Sequence, residues 1–126
     1  MNRVIDRATL VCAVICDALN KFEPNKREVF FHVFRSGSIE HKCEKYTELF
    51  QLFNRDTCEA FVKEVTDGSL IEITFETCTW SDLSDTEKIS ATILWLHHVR
   101  ELERKGRDDK DRIDLPDLSL IFNVTR

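Results

Sequence analysis

Residues 84–106 read SDTEKISATILWLHHVRELERKG, one helix with both of its ends marked. Ser84 followed three residues later by Glu87 is a capping box, which satisfies backbone N–H groups left unpaired at a helix start. Arg104 and Lys105 fall in the last turn, where the helix dipole favours cations, and Gly106 suits the left-handed stop. At about 100° per residue, Ile89, Ala91, Ile93, Trp95, Leu96, Val99 and Leu102 cover an arc of about 200°. Ser90, His97, Arg100, Glu101 and Arg104 form the remaining polar strip. So wide an apolar arc predicts packing on more than one side, with this segment as the central helix of the core.

Four helices are expected before it. The first runs from Arg7 to Phe22, with Leu10, Val11, Val14, Ile15, Ala18, Leu19 and Phe22 on its apolar stripe, and Pro24 ends it. Asn25 with Glu28 caps a short helix over Lys26–Arg35, which Gly37 closes. Ser38 opens the third, where Ile39, Cys43, Tyr46, Phe50 and Phe53 recur at steps of four and three as one buried face. Asp56 with Glu59 caps the fourth, which runs to Thr66.

Two stretches alternate instead. Ser69–Trp80 places Ile71, Ile73 and Phe75 against Glu72, Thr74 and Glu76, and Leu118, Leu120, Phe122 and Val124 alternate near the end. Two strands rarely stand alone. The expected fold is therefore α+β: a helix-rich single domain over residues 1–126, with about five helices packed on a two- or three-stranded sheet. Arg107–Pro116 reads as a charged, mobile connection.

Composition narrows the function classes. Acidic residues outnumber basic ones by 23 to 18, a net charge of −5, and the two signs are interspersed. Nucleic-acid binding normally shows a basic patch, so it is disfavoured. A winged-helix arrangement, with VTDGSLIEITF (65–75) as the wing, would put Glu40, Glu44 and Glu48 on the helix facing phosphates. The five cysteines lack paired spacing, which points to a reducing, cytoplasmic setting. The apolar run Ala8–Cys16 is short, flanked by Asp6 and Asp17, and lacks a following cleavage site. It is expected to be a folded helix rather than a leader or a membrane span.

Catalytic patterns are sparse. Glu72 and Glu76 share one strand face, and Cys78 with His97 could complete an acid–base or nucleophilic site of a small hydrolase. No glycine-rich phosphate loop or nucleophile elbow is present. Cys12 and Cys16 share a helix face but lie in an apolar stripe, and zinc-type knuckle spacing is missing, so neither metal nor cofactor is expected. Asp108, Asp109, Asp111 and Asp114 lack the turn glycine of a calcium loop and are interrupted by Lys110 and Arg112.

Elimination leaves protein–protein interaction: a small acidic intracellular regulator or inhibitor of a larger partner, of the kind viruses and phages also encode. Nine phenylalanines are many for one small core, and aromatic residues favour the centres of protein contacts. The candidate binding residues are Phe31, Phe34, Leu49 and Leu52, with Phe31 and Leu52 at the exposed edges of their arcs. The expected partner is another protein or a second copy of the chain.

Overall fold

In the computed structural model the described residues are 7–36, 38–66, 79–106, 108 and 110–116, with the side chains of 34–36, 65 and 66 outside that description. Regular structure among them is helical: α1 Arg7–Asn20, α2 Pro24–Ser36, α3 Ile39–Gln51, α4 Arg55–Thr66, a 3-10 turn Trp80–Asp82, and α5 Asp85–Arg104. No strand or sheet occurs there, so the α+β expectation is corrected to a helical fold. Residues 69–78 and 118–124, which carry the two alternating patterns, lie outside the described residues. Trp80, the expected end of the first strand, starts the 3-10 turn instead, and its N–H donates to the Phe53 carbonyl at 3.2 Å.

The centre of the core is α1, not α5. Between Arg7 and Asp17 its sequence carries no charge, and a helix apolar all round is stable only when neighbours cover it. Ten of its fourteen residues are buried. It packs against α5 and α4, while α2 packs against α3. With those helices in place, Leu10, Ile15 and Leu19 share one core with Phe31, Phe53, Phe61 and Trp95.

Caps explain where the helices start. Ser38 opens α3 by accepting from the His41 N–H, and Ser84 and Glu87 form the reciprocal box at α5. The Ser84 N–H donates to the Glu87 carboxylate at 2.9 Å, which holds that carboxyl below the usual glutamate range. At α4 the cap is Asn54, not Asp56: Asn54 Oδ1 accepts from the Thr57 N–H, and Thr57 Oγ1 accepts from the Asn54 N–H. The second helix starts at Pro24 rather than at an Asn25 cap, because proline lacks only an N–H that the first turn leaves unpaired anyway. Gly106 has φ +83° and ends α5 as expected.

The connection after α5 is strapped to the core. Ile113 is buried, its N–H donates to Asn20 Oδ1 at 2.6 Å, and Asn20 Nδ2 donates to the Ile113 carbonyl at 2.8 Å. A His98 ring nitrogen meets the Asp114 carbonyl. Arg27, buried in α2, donates through Nη1 to the carbonyls of Leu19 and Phe22 at 3.2 Å each, and through Nη2 to the Lys110 carbonyl. One guanidinium thus ties the end of α1, the start of α2 and the strap together.

Candidate functional site

Helix α5 has two apolar faces, and only one of them is buried among the described residues. Ala91, Trp95 and Leu102 are buried, with Leu94, His98 and Val99 half-buried beside them. Ile89, Ile93 and Leu96, on the opposite side, are 60, 50 and 48% exposed. Spaced by four and three residues, they line up as one stripe about 10 Å long. Leaving three branched aliphatic side chains half in water forgoes burial worth about 1.5–3 kcal/mol each when complete.

The stripe borders an open cleft of about 290 Å³ between α2, α3 and α5. Phe31, Tyr46, Trp95, Leu96 and Val99 form its apolar walls, and Arg100 and Glu103 stand on its rim. Burial pushes the Tyr46 hydroxyl's pKa up, and the Tyr46 ring stacks on Phe50, which stacks in turn on Trp80 at 4.2 Å. Arg100 continues the stripe one turn beyond Leu96, and its guanidinium makes no ion pair or hydrogen bond with the described residues. With His97 it borders a second, shallower recess beside Ile93 and Leu96.

The residues expected to bind are dispersed. Phe31, expected at an exposed edge, is 1% exposed and forms the floor of the cleft, while Leu49 is fully buried. Leu52 is half-buried and lines a separate groove with Ala18, Phe22 and Ala60. Lys21 sits at that groove, paired with Glu64 at 2.8 Å and Asp17 at 3.1 Å, and the hydrogen bond with Glu64 is the main reason its pKa is raised. The Phe34 side chain lies outside the described residues. On α3 the stripe is buried only in its second half: Ile39 is 80% exposed and Cys43 is exposed.

Of the enzymatic candidates, Glu72, Glu76 and Cys78 lie outside the described residues, and His97 is exposed on α5. Cys12, Cys16 and Cys58 are buried thiols. No group of three or more metal-ligating side chains occurs among the described residues, and none of the described helices is long and apolar enough to cross a membrane.

The width of the apolar arc on α5 puts Ile89, Ile93 and Leu96 in the core, and the structure leaves them outside it. The signal against burial was Arg100, eleven residues after Ile89 and within about 20° of it on the helical wheel. A charge at the centre of an apolar stripe marks a face that meets water. The chain matches no protein-family model, no curated protein and no solved structure.

Proposed function

We propose that this chain works by binding protein, as a compact intracellular regulator or inhibitor, and that the outer face of α5 is its contact surface. One observation carries the reading: Ile89, Ile93 and Leu96 form a continuous, half-exposed apolar stripe on a helix already anchored by its other face. Such a surface is stabilised when a partner covers it, and clusters of this kind mark interaction sites on otherwise polar surfaces. The cleft beside it offers aromatic walls to a bulky side chain, the feature that concentrates binding energy at the centre of an interface. The buried thiols of Cys12, Cys16 and Cys58 and the interspersed surface charge support a reducing, cytoplasmic setting.

Ile93→Asp tests this reading. The variant is expected to keep the helical circular dichroism of the parent and to lose its protein contacts, in self-association or in capture from cells. Loss of the fold would show that the stripe belongs to the core. Contacts identical to those of the parent would show that binding uses another surface.

A further inference from the structure

We propose that the occupant of the α5 face is α5 of a second copy, packed antiparallel about a two-fold axis between residues 94 and 95. This rests on the reading of that face as an interface. Thr86, Ile89, Ile93, Leu96, Arg100 and Glu103 recur at steps of three and four, a mean of about 3.5, the repeat that packs one helix along another. Thr86 and Arg100 are exposed along with Ile89, Ile93 and Leu96, so the seam reaches solvent over most of the helix.

Charge decides the direction. A parallel pair would set Arg100 against Arg100 and Glu103 against Glu103, which like-charge repulsion disfavours. In the antiparallel pair Ile93 meets Leu96 of the second copy in two equivalent layers, and Ile89 meets the aliphatic stem of Arg100. Asp85 lies one turn, about 5.4 Å, from Ile89, within reach of the Arg100 guanidinium of the second copy. Glu103 of the second copy falls opposite Thr86 and beside Asp85, and Lys88, on the same flank, offsets the two carboxylates. The acidic first turn with Asp85 and Glu87 runs beside the C-terminal half of the helix, where Arg100 precedes the last turn and Arg104 lies in it, and the two helix dipoles oppose each other favourably. Glu101, the remaining carboxylate near the C-terminal end, is already held by Arg104 of its own helix at 2.7 Å. The pairing also gives Arg100 a carboxylate that it lacks among the described residues, and brings Ile89 of the second copy to the mouth of the cleft.

Sedimentation equilibrium of the full chain reads this out. The mass is expected to rise with concentration from 14.8 kDa towards twice that value. Arg100→Asp, at an exposed position, is expected to weaken the dimer roughly tenfold, because it sets a carboxylate against Asp85 of the second copy and the symmetry counts the pair twice. The double variant Asp85→Arg/Arg100→Asp is expected to regain the loss, and Ile93→Asp to remain monomeric. A dimer whose charge-swapped form does not recover would overturn the antiparallel pairing. A chain that stays monomeric at every concentration would overturn the second copy as occupant. If that monomer still captures a cellular protein that Ile93→Asp does not, the interface reading stands without this pairing; if it captures none, both fall.

Discussion

Trp95→Ala is expected to lower the free energy of unfolding by about 4 kcal/mol, and Leu96→Ala, the next residue, by less than about 1 kcal/mol. Trp95 is 1% exposed, and it walls the cleft beside Phe31 while sharing the core of α1. Removing the indole leaves a cavity that the surrounding helices cannot close without moving. Leu96 is about 100° further round the helix and 48% exposed, so its truncation removes contacts that water already half replaces. Urea unfolding of the two variants at low concentration, where association does not contribute, checks the phase of α5. Equal losses would mean that α5 is buried on both faces, as its apolar arc alone suggests.

Arg27→Ala is expected to cost about 3 kcal/mol, because three carbonyls lose a charged donor in a site with little access for water. Arg27 is 3% exposed and its guanidinium meets no carboxylate among the described residues; its stabilisation comes from the carbonyls of Leu19, Phe22 and Lys110 and from the negative end of the α1 dipole. Its Nε has no partner, so the site is not saturated, and part of the cost of burying the charge is uncompensated. Arg27→Lys is expected to recover only a part, since one ammonium cannot span three acceptors fixed by a planar fork. Arg112→Ala, an exposed charge on the same strap, is expected to be near neutral. Thermal melts of the three variants separate these outcomes. If Arg27→Ala and Arg112→Ala melt together, the clamp contributes nothing.

The helices were legible in the sequence because their ends are written in short-range chemistry. Ser38, Ser84, Glu87 and Gly106 act within one turn of themselves, and their roles need no tertiary knowledge. Burial was less legible, since it depends on which helix the others choose to surround. The uncharged run Ala8–Cys16 shows α1 as buried all round, yet an apolar arc of similar width on α5 ends half in water. The strap was not legible at all. Lys26-Arg27-Glu28 reads as a solvated run, and nothing local announces that Arg27 turns inward or that Ile113, set among charges, enters the core. The sheet was inferred from alternation, a pattern that reports on local geometry only, and the described core is closed by helices without it. Aromatic abundance pointed to α2 and α3 as the contact face, and there Phe31 and Phe50 are absorbed by the core.

The central claim is that the Ile89–Ile93–Leu96 stripe faces solvent in the folded single chain and is covered by a partner. Thiol labelling of Ile93→Cys in dilute native protein tests it most directly, with the parent chain, whose exposed thiol among the described residues is Cys43, as the background. The account predicts one additional thiol that reacts as fast as Cys43 in dilute solution and is progressively protected as the chain is concentrated. An introduced thiol that stays unreactive at every concentration until the protein is denatured, as the buried Cys12 and Cys16 are expected to, would contradict it.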